Sequence, residues 1–134
     1  MSLGTIVIDA SAALHAAASE RGFAGLAAAQ LVAPALLWSE CTSVLREMHY
    51  RGEISTALKD AALARLLDGA IQKRSTRRLY VEASRIAVEL GWAKTYDAEY
   101  VALARMLQAP LVTRDARLLR GARRVLPVVN PDPF

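Results

Sequence analysis

Four acidic side chains stand out for the company they keep. Asp9 closes the run Thr5-Ile6-Val7-Ile8, Asp115 closes Leu111-Val112-Thr113-Arg114, Glu40 follows Ser39 at the start of an apolar-striped segment, and Asp97 sits in Thr95-Tyr96-Asp97-Ala98. Brought to one place, four carboxylates cannot all stay ionised without a cation between them. Oxygen-only donors suit a hard ion, Mg²⁺ or Mn²⁺. His15 and His49 have no spacing to Cys41 or to each other that suggests zinc. Singly, each acid has a plainer reading: Asp9 and Asp97 as helix N-caps, Asp115 as a turn residue, Glu40 as a solvated helix side chain. Only the joint pattern points to chemistry. Glu47 and Glu99 compete for a role and rank second, Glu47 lying two turns beyond Glu40 and Glu99 on the opposite flank of its helix from Asp97.

These acids need elements that can make them converge. Thr5 to Ile8 and Ala109 to Thr113 read as buried strands, with weaker strands expected at Leu31 to Ala33, Ala70 to Lys73 and Leu126 to Val129. The segments between are helical in pattern. Pro34 occupies a tolerated first-turn position before the stripe Leu37, Cys41, Val44, Leu45, Met48, which should run to about Tyr50 and end near Gly52. Further stripes are Leu58, Ala62, Leu66; Tyr80, Ala83, Ala87, Leu90, stopping before Gly91; and Tyr100, Leu103, Ala104, Leu107. The Ala-rich tract Ala24 to Ala29 also reads as helix. Strands alternating with helices predict an α/β fold, a mainly parallel central sheet of four to five short strands flanked by helices, over one domain spanning 1–134. In such sheets ligands bind beyond the carboxyl ends of the strands, where Asp9 and Asp115 stand. At 100° per residue, Glu40 projects about 80° and Asp97 about 70° from the centres of their apolar stripes, each on a flank that can face a shared pocket.

Composition sets the outer bounds. The chain has 134 residues, 54% of them hydrophobic, enough for one core. A single cysteine, Cys41, excludes an intramolecular disulfide and a Cys-based zinc cage, and no apolar run approaches the ~20 residues of a membrane span, so a soluble, cytoplasmic protein is expected. The apolar excess suits either a well-filled core or a face covered by another subunit. A net charge of +4 favours a polyanionic partner. The cations gather at Lys73, Arg74, Arg77, Arg78 and at Arg114, Arg117, Arg120, Arg123, Arg124. Either cluster can contact phosphates or form a solvated helix face.

Taken together, Ile8-Asp9-Ala10-Ser11, Ser39-Glu40, Thr95-Tyr96-Asp97-Ala98-Glu99-Tyr100-Val101-Ala102-Leu103-Ala104 and Leu111-Val112-Thr113-Arg114-Asp115 resemble a PIN domain, most of all the VapC-type toxins of toxin–antitoxin modules. The resemblance runs from about Thr5 to about Val129. It implies an RNase-H-like layering, with Asp9, Glu40, Asp97 and Asp115 as the catalytic, metal-coordinating acids and Ser11 and Thr113 as supporting hydroxyls. It implies Mg²⁺- or Mn²⁺-dependent hydrolysis of RNA, leaving a 5′-phosphate and a 3′-hydroxyl, on a tRNA, rRNA or mRNA cut at few sites. A small antitoxin and a homodimer are the implied partners, with the apolar faces between Glu53 and Leu67 as candidate contacts. Many relatives carry Asn three residues after the helical Glu; here that position is Ser43. Two other readings are a non-catalytic PIN-like RNA- or protein-binding module and a phosphoacceptor receiver domain. The receiver would need adjacent acids after the first strand and a Lys after the last strong one, which Val7-Ile8-Asp9 and Arg114-Asp115 do not supply.

Overall fold

A computed structural model describes residues 4–127 and 129–131. Five strands, β1 (Gly4–Ile8), β2 (Ala29–Ala33), β3 (Ile71–Lys73), β4 (Leu111–Thr113) and β5 (Val129–Pro131), form one sheet in the order β3-β2-β1-β4-β5 with every pair parallel. Parallel strands need crossovers, and helices supply them. Helix α1 (Ala10–Ala18) links β1 to β2, α2 (Leu36–Tyr50) and α3 (Thr56–Leu67) link β2 to β3, α4 (Arg77–Leu90) and α5 (Tyr96–Leu107) link β3 to β4, and α6 (Ala116–Ala122) precedes β5. The expected α/β architecture is thus present.

The chain order steps from β1 outward to β3 and then returns to β4 on the other side of β1, so the direction of winding reverses between β1 and β4. That is the position where a crevice opens at the carboxyl ends of a parallel sheet. Asp9 follows β1 and Asp115 lies two residues beyond β4. The register pairs Val7 with Leu111 and Ile8 with Val112, which brings Asp9 level with Thr113.

β1 is buried on both faces, with Ile6, Val7 and Ile8 all in the core, as central parallel strands require. Helix α5 lies against β1 and β4 and packs along α4, while α1 packs with α2 and α3. Every residue from Ala98 to Ala104 is buried, so α5 is a central helix whose flanks are covered as well as its stripe.

Three expectations need correction. The Ala24–Ala29 tract is no α-helix: Ala24–Leu26 forms a single 3₁₀ turn and Ala29 already begins β2. Helix propensity is overridden there because Leu31, Val32 and Ala33 pair with β1 and bury. The last strand begins at Val129 rather than Leu126, and Leu126 is instead a core residue ahead of it; Val128 and the ends of the predicted 1–134 domain lie outside the described residues. Helix α2 starts two residues after Pro34, with Ala35 as an N-cap that makes no side-chain bond. Among the described residues no helix is long and apolar enough to cross a membrane.

Candidate active site

Asp9 is the buried centre of the site, 3% exposed. It caps α1, its Oδ1 accepting from the Ala12 amide at 2.9 Å. The Ser11 hydroxyl donates to Oδ1 at 2.8 Å and lies 3.0 Å from Oδ2, and the Thr113 hydroxyl donates to Oδ2 at 2.5 Å. Each hydroxyl has one proton, and both point at Asp9; their oxygens in turn accept the amides of Arg114, at 2.9 Å to Ser11, and Asp115, at 3.0 Å to Thr113. Two strand ends are thereby tied through two hydroxyls to one carboxylate. Ser11 and Thr113 both stand in hydrogen-bond contact with Asp9.

Asp115 caps α6, its Oδ1 accepting from Arg117 at 2.9 Å and Leu118 at 3.2 Å, and no donor among the described residues reaches Oδ2. Glu40 sits half-buried on the flank of α2, as its angle predicts, and accepts the Tyr100 hydroxyl at 2.5 Å. Asp97 lies in the first turn of α5, two residues after the N-cap Thr95, so it is not the cap it could have been. The two acids that are caps, Asp9 and Asp115, belong to the site as well.

The carboxylates feel one another in a closed circuit. Burial holds Asp9 above the ordinary carboxyl range against the opposing bonds from Thr113, Ala12 and Ser11, and Asp115 adds to the rise. Burial raises Glu40 too, opposed by Tyr100, with Asp97 and Asp9 adding repulsion. Burial and then Asp115 raise Asp97, while Arg117 pulls it down. Asp9 to Asp115 to Asp97 to Glu40 and back to Asp9 is therefore one electrostatic unit. Repulsion of this kind is what a cation relieves.

Among the described residues no three His, Cys, Asp or Glu side chains stand close enough to cage an ion by themselves. An oxygen-only ring that is open in this way fits a hydrated Mg²⁺, which keeps several waters and takes one or two carboxylates together with substrate phosphate oxygens. The donor set suits no softer metal. Cys41, beside Glu40, is held protonated by burial, then by Glu40 and Asp9, its pKa pushed up to about 12.

The PIN domain family model matches residues 6–124. The chain belongs to the PIN-domain family. This PIN domain is 36% identical over 124 residues, 92% of its own length, to VapC ribonuclease Mb0985 of Mycobacterium bovis and to ribonuclease VapC9 of Mycobacterium tuberculosis, covering 95% of each. It also resembles the crystal structure of PAE2754 from Pyrobaculum aerophilum, with a TM-score of 0.75 and 25% identity over 95% of this chain and 88% of that one. The relatives are of the VapC type, so the resemblance first carried by the four acids extends over the whole described fold.

Of the cations singled out in the sequence, the PIN domain brings only part to the acids. Arg117 lines the same cleft as Glu40 and Asp97, and Arg114 hangs from the network through its amide. Lys73 ends the edge strand β3, two strands from β1, and Arg74, Arg77 and Arg78 follow it; Lys73 lies over the Trp38 ring at 5.5 Å. Glu47 is exposed on α2. Glu99, ranked second in the sequence, is buried on α5 at 7% exposure, and Glu40's charge reaches it. The physical reason is the covering of both flanks of α5. Four participants have no role in the sequence reading of the site. Tyr100 was read only as part of an apolar stripe, although it stands three residues after Asp97, one turn along the same face. Trp92, Lys94 and Tyr96, which line the cleft, carry no spacing that would have revealed them.

Proposed function

We propose that this PIN domain is a metal-dependent endoribonuclease that hydrolyses RNA phosphodiester bonds as the toxin of a toxin–antitoxin pair acting in the cytoplasm. The observation that carries the proposal is the placement of the acids at the switch point of the sheet, Asp9 and Asp115 just beyond β1 and β4 and Glu40 and Asp97 lining one cleft. The ribonuclease names of its relatives support the reaction class. A purely structural role accounts poorly for these acids. Asp97 caps nothing, and it and Glu40 are both raised by burial, a cost to folding that structural caps do not require.

Asp9, Glu40, Asp97 and Asp115 would hold Mg²⁺ or Mn²⁺. When bound there, such an ion would supply an activated water and charge neutralisation at the scissile phosphate and the departing 3′-oxygen, the products being a 5′-phosphate and a 3′-hydroxyl. The protein's own groups prepare that chemistry. Ser11 and Thr113 spend their protons on Asp9 and so fix the directions of its remaining lone pairs. Tyr100 holds Glu40 toward the ring. Asp115 keeps Oδ2 open, and Arg117 sets a cation beside Asp97 where a phosphate arrives. Lys73, Arg74, Arg77 and Arg78, at the carboxyl-end rim of the sheet, would extend the phosphate track beyond the cleft.

An antitoxin and a second copy of the chain are the proposed protein partners. Exposed Leu58 and Leu67 on α3, in the region expected from the sequence, and Tyr50 just before it on α2 support an apolar contact there. The test of function is incubation of total cellular RNA with antitoxin-free protein and Mg²⁺ or Mn²⁺, with mapping of new ends. Discrete 5′-phosphate ends that vanish with EDTA are the expected result; intact RNA from folded protein in both metals would instead favour a non-catalytic binding module.

A further inference from the structure

A cleft of about 350 Å³ opens beside the acids, lined by Glu40, Trp92, Lys94, Tyr96, Asp97, Arg117 and Ala93. Its lining combines two acids, two aromatic rings and two exposed cations. The rings are held differently. Tyr96 opens α5 and is 57% exposed, a large aromatic side chain left in water at the edge of the site. Trp92 is fixed from behind. Gly91 turns left-handed at φ 71°, ending α4, and the Trp92 amide returns to the Ala87 carbonyl at 2.8 Å. The indole then lies so close over Gly121 of α6 that a Cβ there would fall 2.3 Å from its Cζ2. The wall is built by three elements, α4, α5 and α6.

Aromatic faces beside cations, next to carboxylates that would hold a phosphate-binding ion, match one ligand chemistry: a nucleotide with a free base. A base stacks on an aromatic ring only when it is unstacked on that side, which a duplex does not allow. We infer that this cleft is a base-stacking subsite for one unpaired nucleotide next to the scissile phosphate, its base on Tyr96 and Trp92 and its phosphate reached by Arg117 and Lys94. The inference rests on the ribonuclease reading and deepens it, because it selects RNA that is single-stranded at the cut and makes Tyr96 a determinant of substrate choice.

The probe is a fluorescein-labelled ten-nucleotide unstructured RNA, with a hairpin duplex of matched length beside it, followed by anisotropy in EDTA so that the strand stays intact. Tyr96→Ala should raise the Kd for the single strand about tenfold, the usual effect of losing one stacked base, and leave the Kd for the duplex unchanged. Tyr96→Phe, which keeps the ring, should recover most of the lost affinity. Tyr80→Ala, which removes another exposed tyrosine away from the cleft, should bind as the native chain does. Arg117→Ala should flatten the dependence of log Kd on log salt by about one unit. In a Trp38→Phe background the single strand should quench the remaining indole, Trp92. Native-like single-strand binding by Tyr96→Ala, or equal losses for strand and duplex, would overturn the subsite. The enzymatic reading fails separately: absence of metal-dependent cleavage by the native chain, with strand-selective binding intact, would leave a stacking site in a non-catalytic protein.

Discussion

Glu99 is a carboxylate with 7% of its surface in water and, among the described residues, no donor for its oxygens. Burial, and behind it the charge of Glu40, holds its carboxyl above the ordinary range. The sign follows from linkage. A group protonated more readily in the folded state than in the unfolded one favours folding at low pH, so its contribution is complete below the unfolded value near 4 and drains away as pH rises through the folded value. Glu99→Gln removes that drain. Its melting temperature should match the native one at about pH 4 and exceed it at pH 7. Thermal unfolding at the two pH values reads this directly, and a gap that stays constant with pH would show that the carboxylate finds a partner. The same residue marks where sequence reasoning reached its limit. The identities of Asp9, Glu40, Asp97 and Asp115 are legible because each follows a strand or sits at a computable angle on a helix. Whether a flank faces water or a neighbour depends on what packs against it, which an angle does not contain. The burial of Glu99 and the bond from Tyr100 to Glu40 lie beyond the sequence for that reason.

At the scale of elements, strands were readable where β-branched residues run together, as in Thr5 to Ile8, and helices where a stripe ends at a glycine, as α4 does at Gly91. Ala24 to Ala29 misled because alanine's helix preference is weak beside the pairing of Ala29 to Val32 with β1. The contact between α6 and the end of α4 was invisible in sequence and has a sharp consequence. Gly121 is the seat of Trp92, and Gly121→Ala would place a methyl at 2.3 Å from Cζ2 and 3.0 Å from Cη2. The indole must move. A loss of about 1–3 kcal/mol in denaturant unfolding is expected, with a shifted Trp92 emission, since overpacking a fixed ring costs that much. Native stability and an unchanged spectrum would mean that the ring is loosely held.

For the molecule as a whole, the reversal of winding between β1 and β4 explains why acids from four separate segments lie at one end of the sheet. Each segment brings its acid with its own support: a cap and two hydroxyls for Asp9, a phenol for Glu40, a helix start for Asp97 and Asp115. In a chain of net charge +4, Arg117 and Lys94 line the cleft beside Glu40 and Asp97. If the four acids are one catalytic unit, removing a second after the first should cost nothing more, because the damage is already done. The decisive measurement is the single-turnover cleavage rate of one RNA substrate in Mg²⁺ by Asp9→Asn, Asp97→Asn and the double variant. The account predicts that each single change lowers the rate at least about a thousandfold and that the double variant is no slower than the slower single. Cleavage at the native rate by either single variant, or losses that multiply in the double, would contradict it.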